Sequence, residues 1–349
     1  MRRGLISRSP VELPDAAFDA RLDRVRAAMA KAGFDVIVAY TNNTRTAAVS
    51  WLVGFVPYWS EALLVVPGQG APYLVAALSF RVKPWIERVS RIGEVLHTPR
   101  VGLKAAQQIA AAKADAAVGI VDFDGLPAGI AGDMREGGPA LALRDAGALF
   151  AALRAKADPP EIALATKAAA IAHRALAALD GATLGEMIGS VELEARSLGA
   201  EEIYIAAAPD LDRDIRLMRV EGSATPGRRF ALRATVAYKG SWVRLVRTVG
   251  DDDAVKQGAA RFAQAVAQLP SDRGFADFRT WLVEGCRMAL PLDPLMGSRL
   301  DESNAPPPGA LVSVQGALAI DGRVVLVGAP ALIGQPGEAA SLIADPLFC

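Results

Sequence analysis

The sequence is poor in the side chains that most often carry chemistry. Its 349 residues include only two histidines, His97 and His173, and two cysteines, Cys286 and Cys349. Two cysteines make no disulfide framework, so we expect reduced thiols in a cytoplasmic protein. The scarcity of histidine also limits metal binding through imidazole and acid–base catalysis.

The chain also lacks an excess of charge of either sign. Lysine plus arginine and aspartate plus glutamate both number 38. No overall field would therefore attract nucleic acid or an anionic membrane. We find no long apolar run, and no apolar signal region follows the basic residues Arg2 and Arg3. We expect neither nucleic acid nor a membrane among the partners.

Apolar side chains, by contrast, are abundant. Hydrophobic residues make up 52% of the sequence, and the mean hydropathy is +0.25. A chain of this length and composition can bury a large core and is long enough for two domains.

Residues 232–250, which read LRATVAYKGSWVRLVRTVG, predict a β-hairpin. Two short runs rich in β-branched and apolar residues flank Lys239-Gly240, and this pair can take a tight turn.

The same stretch resembles the central hairpin of the pita-bread hydrolases, the family of methionine aminopeptidase, aminopeptidase P, prolidase and creatinase. The residues that fall on the family frame are Tyr238, Lys239, Gly240, Arg247, Thr248 and Gly250. The order of the motifs resembles the family from about residue 20 to about residue 343. The resemblance implies an α/β (α+β) protein with a creatinase-like α/β domain followed by a pita-bread domain.

A domain boundary is expected near residues 157–162, where Pro159 and Pro160 disfavour a continuous helix. The stretch from Lys156 to Ile162 is similar to the family's entry into its catalytic domain. We therefore predict an N-terminal domain at residues 1–157 and a pita-bread domain at residues 158–349. In the second domain, we predict helices over residues 161–179, 182–199, 254–269 and 275–290.

The resemblance also aligns five positions with the family's metal ligands. The two aspartates fall on Arg233 and Arg244, the histidine on Pro294, and the two glutamates on Gln315 and near Gly328. Arginine is a permanent cation that repels a metal ion, and proline and glycine offer no side-chain ligand. We therefore expect no metal and no other cofactor. A metal-dependent Xaa-Pro aminopeptidase or dipeptidase is the least favoured function.

The arginines around these positions have three interpretations. They could bind the carboxylate or phosphate of a small anion. They could instead fill the volume of a lost metal and pair with the chain's own acids, such as Asp214, Glu221 or Asp301. They could also reach solvent with their charged ends. The residues predicted to bind a ligand are Arg216, Arg219, Arg233, Arg244 and Gln315.

The sequence favours a non-catalytic member of the family, a pseudo-enzyme that acts as a ligand-binding or partner subunit. Family members commonly dimerise, so the resemblance implies a homodimer or a heterodimer with a related subunit. The alternative is a metal-free C–N hydrolase of the creatinase or ectoine-hydrolase type, acting on a small carboxylate. The acid–base candidates for such a reaction are Glu221, Asp301 and Glu302.

Overall fold

The computed structural model of the protein describes residues 9–57, 59–285 and 305–344. The chain divides into two compact units between Arg154 and Ala155. The boundary predicted from the sequence lies close by, between residues 157 and 158. None of the described helices is both long and apolar enough to cross a membrane.

The first unit is built on a mixed six-stranded sheet. Its strands are β1 (Val36–Asn42), β2 (Glu61–Pro67), β3 (Tyr73–Ala76), β4 (Glu94–His97), β5 (Ala117–Val121) and β6 (Ala142–Asp145). They lie in the order β4-β3-β2-β1-β5-β6. The pairs β1–β2 and β2–β3 are antiparallel, whereas β3–β4, β1–β5 and β5–β6 are parallel.

Helices cover both faces of this sheet. They are α1 (Asp15–Ala32), α2 (Ala47–Val53), α3 (Lys83–Val89), α4 (Val101–Ala112), α5 (Ala128–Gly137) and α6 (Gly147–Leu153). Successive side chains of a strand point to opposite faces. Ile37 and Ala39 accordingly pack into the core beneath α1 and α2. Val36 and Val38 pack into a separate core beneath α4 and α5.

The second unit carries a larger, antiparallel sheet. Its helices are α7 (Pro159–Ala177), α8 (Leu184–Ser197) and α9 (Asp252–Val266). Its strands are β7 (Glu202–Ala208), β8 (Phe230–Tyr238), β9 (Ser241–Val249), β10 (Phe278–Gly285), β11 (Leu311–Ile320), β12 (Arg323–Leu332) and β13 (Ser341–Leu342). The sheet order is β10-β11-β12-β9-β8-β7, and β13 pairs with β12. Helix α7 packs on β8 and β9, and α9 packs on β11 and β12.

Strands β8 and β9 form the predicted hairpin. Tyr238 pairs with Ser241, and Lys239 and Gly240 have φ angles of 46° and 78°. Two central residues with positive φ define the type I′ turn, whose twist matches that of the flanking strands.

The helix predicted over residues 275–290 is wrong in the part that the structure describes. Residues 278–285 form β10, which pairs with β11, and residues 286–290 lie outside the described residues. Gly316 of β11 stands opposite Trp281, and a Cβ atom on Gly316 would lie 2.6 Å from the Phe278 ring. The bare backbone of Gly316 therefore lets an aromatic strand pack against β11. This long-range pairing overrides the local helical pattern.

Candidate functional site

One face of the second sheet carries a row of cross-strand partners that includes three of the ligand-aligned positions. Arg233 pairs with Val246, Val246 with Gly328, and Gly328 with Gln315. Residues directly opposite each other project from the same face of a sheet. The fold therefore brings positions 233, 315 and 328 together from three strands, as the resemblance implies.

The next row along the strands adds further polar side chains to this face. Thr235 pairs with Arg244 across β8 and β9, and Glu284 pairs with Ser313 across β10 and β11. Thr235, Arg244 and Ser313 each lie two positions from a member of the first row, so they project from the same face. Glu284 lies two positions from Leu282, which pairs with Gln315, so it projects from that face as well. We call the resulting set the polar ring: Arg233, Thr235, Arg244, Glu284, Ser313 and Gln315.

Two side-chain contacts close the ring across the sheet. Arg233 Nη1 donates a hydrogen bond to Gln315 Oε1 at 3.4 Å, and Arg244 forms an ion pair with Glu284. In both pairs the two strands are three places apart in the sheet order. In a flat sheet, strands three places apart are separated by about 14 Å. Side chains standing upright on a flat sheet would not meet over that distance. The sheet therefore curves around this face.

The ring is buried. The exposed fraction is 1% for Arg233, 3% for Arg244 and 0% for Gln315. A buried guanidinium keeps its charge, so it must be matched by acceptors close by. The Glu284 carboxylate and the Gln315 carbonyl oxygen provide such acceptors. For these two arginines the structure therefore shows contacts with side chains of the same sheet, a carboxylate for Arg244 and an amide oxygen for Arg233.

The residues of the ring do not fit a two-metal site. Two dications require several carboxylate or imidazole ligands, and the described residues contain no group of three or more histidine, cysteine, aspartate or glutamate side chains that could hold a metal. There is also no room for a side chain at Gly328. A Cβ atom there would lie 2.8 Å from Val246 Cγ2 and 2.9 Å from Gln315 Cγ. Pro294, the position aligned with the histidine ligand, lies outside the described residues.

The other predicted site residues are not members of the ring. Arg216 and Arg219 lie on the exposed surface of the segment between β7 and β8. Arg216 binds the carboxylate of Asp214, with Nη2 2.7 Å and Nε 2.9 Å from Oδ2. This hydrogen-bonded contact lowers the pKa of Asp214 below its ordinary value. Glu221 is also exposed.

The acid–base candidates Asp301 and Glu302 lie outside the described residues. Three members of the ring, Thr235, Glu284 and Ser313, were not singled out from the sequence. The two-residue alternation of β8 could have identified Thr235 as a neighbour of Arg233. Glu284 was hidden by the incorrect helix assignment.

Comparison with known proteins identifies the fold. No protein-family model matches the sequence, and no curated protein matches it. Among solved structures, the X-Pro aminopeptidase from Thermotoga maritima MSB8 superposes with a TM-score of 0.71 at 13% identity, over 93% of this chain and 97% of that one. Dipeptidase PepE from Mycobacterium ulcerans gives 0.67 at 17% identity, over 95% and 97%. The N-terminal domain of the FACT complex subunit SPT16 from Eremothecium gossypii gives 0.65 at 13% identity, over 96% and 97%.

These likenesses extend over both units, and they confirm the predicted fold class. The chain has an N-terminal α/β unit followed by a pita-bread unit, as the peptidase structures do. At identities of 13–17% the likeness shows the fold. Function has to be argued from the polar ring itself.

Proposed function

We propose that this protein is a non-catalytic pita-bread protein, a metal-free subunit that binds a ligand or a protein partner. The observation that carries the proposal is the buried pair of guanidinium groups, Arg233 and Arg244, at the positions aligned with two metal-ligating aspartates. Each is engaged by a side chain of the same sheet, Gln315 for Arg233 and Glu284 for Arg244.

Electrostatics opposes a metal ion in this ring. Two unit charges 4 Å apart interact with about 4 kcal/mol at an effective dielectric constant of 20, so a dication beside one guanidinium is opposed by about 8 kcal/mol. Arginine cannot relieve this repulsion by losing its proton. The ring's one carboxylate, Glu284, already engages Arg244.

The fold has a source of stability that does not depend on a metal. The second unit has a continuous apolar core between its sheet and α9, which includes Phe262, Val314 and Val327. Burial of such side chains stabilises a fold whether or not its site is active. One structural neighbour, SPT16, is described as a subunit of a complex, which supports a partner role for this fold. The partner in our proposal is a second copy of the chain or a related chain.

The competing function is a metal-free C–N hydrolase that acts on a small carboxylate. Such an enzyme needs an acid–base group within hydrogen-bond reach of its substrate. Glu284 is the ring's carboxylate, and it is engaged in the ion pair with Arg244. The ring therefore favours binding over hydrolysis.

Metal titration combined with an activity assay tests the proposal. We expect Mn²⁺, Co²⁺ and Zn²⁺ to show no stoichiometric binding by calorimetry and to leave the melting temperature unchanged. We also expect no cleavage of Xaa-Pro dipeptides or of creatine-like and ectoine-like compounds. Binding of two metal ions per chain would overturn the proposal. So would metal-free turnover that is lost in Arg244→Met.

A further inference from the structure

The polar ring has more hydrogen-bonding capacity than its own members use. Within the described residues, Thr235 Oγ1, Ser313 Oγ and Gln315 Nε2 are buried and have no hydrogen-bond partner. The residues that carry them are at most 1% exposed, so bulk water does not satisfy these atoms. Buried polar atoms are nearly always hydrogen-bonded in folded proteins, and exceptions call for an explanation.

The residues that carry the three atoms lie on one face of the sheet, beside the two side-chain contacts of the ring. Thr235 lies two residues from Arg233 on β8 and directly opposite Arg244 on β9. Ser313 lies two residues from Gln315 on β11 and directly opposite Glu284 on β10. The contacts Arg233–Gln315 and Arg244–Glu284 join the two halves. The unused polar atoms therefore lie on the same face of the sheet as the two guanidinium groups.

The chemistry of these atoms indicates a ligand that accepts hydrogen bonds. An amide nitrogen and a guanidinium can only donate, and a hydroxyl group can donate. Of the ring's acceptors, Gln315 Oε1 accepts a hydrogen bond from Arg233, and the Glu284 carboxylate forms an ion pair with Arg244. The neighbouring positive charges favour an anion over a neutral acceptor.

We propose that the polar ring binds the carboxylate group of a small organic acid. The two oxygens of a carboxylate offer about four acceptor sites. These sites can accept hydrogen bonds from the Gln315 amide and from the Thr235 and Ser313 hydroxyl groups, and the neighbouring guanidinium groups supply positive charge. The inference deepens the proposed function and rests on it, since a ring that holds an anion has no place for two metal ions.

Sodium acetate is the probe for the first experiment. The full-length protein is titrated at constant ionic strength, with sodium chloride and sodium phosphate as parallel arms, and is followed by thermal unfolding and calorimetry. We expect saturable binding of one acetate per chain. At a hundredfold excess over Kd, the melting temperature of the second unit should rise by about 5–10 °C. Chloride should produce no saturable shift.

Conservative variants locate the binding site. Thr235→Val and Ser313→Ala remove hydroxyl groups that have no partner among the described residues, so both variants should fold. Each should weaken acetate binding by about tenfold, because a hydrogen bond to a charged ligand is lost. Gln315→Glu places a carboxylate within the ring itself, and it should abolish the acetate response while raising the melting temperature. Arg216→Ala is the matched control: it removes an exposed arginine of the same unit and should leave acetate binding unchanged.

Several results would overturn the inference. If acetate neither binds to the wild type nor raises its melting temperature, the ring holds ordered water only. Equal acetate binding in the wild type, Thr235→Val and Ser313→Ala would place the anion elsewhere. Saturable binding of phosphate without acetate would reject a carboxylate as the ligand class. None of these results bears on metal binding or turnover. Failure of the carboxylate-binding proposal can therefore be distinguished from failure of the proposed non-catalytic function.

Discussion

At the scale of single residues, the buried ion pair between Arg244 and Glu284 couples two strands that are far apart in the sequence. Removing one partner of such a pair leaves an uncompensated buried charge, at a cost of about 3–5 kcal/mol. Arg244 has the more buried side chain, 4% exposed against 24% for Glu284. We therefore expect Glu284→Met to destabilise the second unit more than Arg244→Met, towards the upper end of that range.

The double variant Arg244→Met/Glu284→Met is the control for this prediction. Replacing a buried ion pair by apolar residues of similar volume is often close to neutral. The double variant should therefore recover most of the stability lost in Glu284→Met, as measured by urea unfolding. If the two single losses simply add, the side chains are not coupled and the ion pair is not a unit of the ring.

Gly328 is a second residue whose role follows from its contacts. A Cβ atom at this position would lie 2.8 Å from Val246 Cγ2 and 3.1 Å from the Val314 carbonyl oxygen. Overpacking of this kind typically destabilises by about 1–3 kcal/mol, so Gly328→Ala should lower the free energy of unfolding by that amount.

The matched control for that change is Gly189→Ala. Gly189 lies within α8, and nothing is within 4 Å of its virtual Cβ atom. Alanine is favoured over glycine in a helix by about 0.5–1 kcal/mol, so this control should stabilise. Equal effects of the two substitutions on urea unfolding would contradict the packing argument at Gly328.

At the scale of secondary-structure elements, the β8–β9 hairpin is held by a type I′ turn with an unfavourable residue. Lys239 has a φ angle of 46°, and left-handed backbone costs a residue with a side chain about 1–2 kcal/mol. Asparagine tolerates this conformation better. We expect Lys239→Asn to raise the free energy of unfolding by up to about 1 kcal/mol.

Lys239→Ala distinguishes the effect of the turn conformation on stability from the effect of losing the lysine side chain. Alanine keeps the strained backbone, so it should give no gain in urea unfolding. If alanine stabilised as much as asparagine, loss of the lysine side chain would be the cause, and the argument from φ would fail.

The start of α8 contains a capping box that should respond to pH. The backbone amides of Thr183 and Ala182 donate hydrogen bonds to Glu186 Oε2 at 2.9 Å and 2.8 Å, and they hold the pKa of Glu186 below its ordinary value. A lowered pKa in the folded state means that the carboxylate stabilises the fold at neutral pH. That contribution is lost as the pH falls below about 4.3, the ordinary value for glutamate.

Glu186→Gln should therefore destabilise at neutral pH and flatten the fall in stability between about pH 5 and pH 3. Glu192→Gln, which changes an exposed glutamate of the same helix outside the capping box, should leave that profile as it is in the wild type. Parallel acid profiles for the wild type and Glu186→Gln would contradict the prediction.

Element assignments from the sequence were correct where a local signal was sufficient. Lys239-Gly240 between two apolar runs predicted the hairpin, and Pro159 and Glu161 predicted the start of α7. The assignment failed for residues 278–285, where pairing with β11 decides the conformation. No element was predicted for residues 202–208, yet they form β7, which pairs with β8 along its whole length.

At the scale of the whole molecule, four of the positions aligned with the family's metal ligands are distributed over four strands, so placing aspartates at two of them should not create a working metal site. Arg233→Asp/Arg244→Asp recreates the two aspartates of the family pattern, while Gln315 and Gly328 keep the other positions without a carboxylate. We expect no cleavage of Xaa-Pro dipeptides by this variant in the presence of Mn²⁺. Recovery of cleavage would mean that the remaining ligands come from other positions, and the ligand alignment would be wrong.

The sequence by itself determined the fold class, because the order of its motifs resembles the pita-bread family, and it showed that the side chains at the aligned positions are not carboxylates. Only the tertiary structure decided which polar residues meet. Arg233 reaches Gln315 and Arg244 reaches Glu284 because the sheet curves and brings together strands three places apart. Arg216 and Arg219 lie outside the ring, in the exposed segment between β7 and β8, although along the chain they are closer to Arg233 than Gln315 is. Proximity in a curved sheet depends on strand order and register, which are set by long-range pairing.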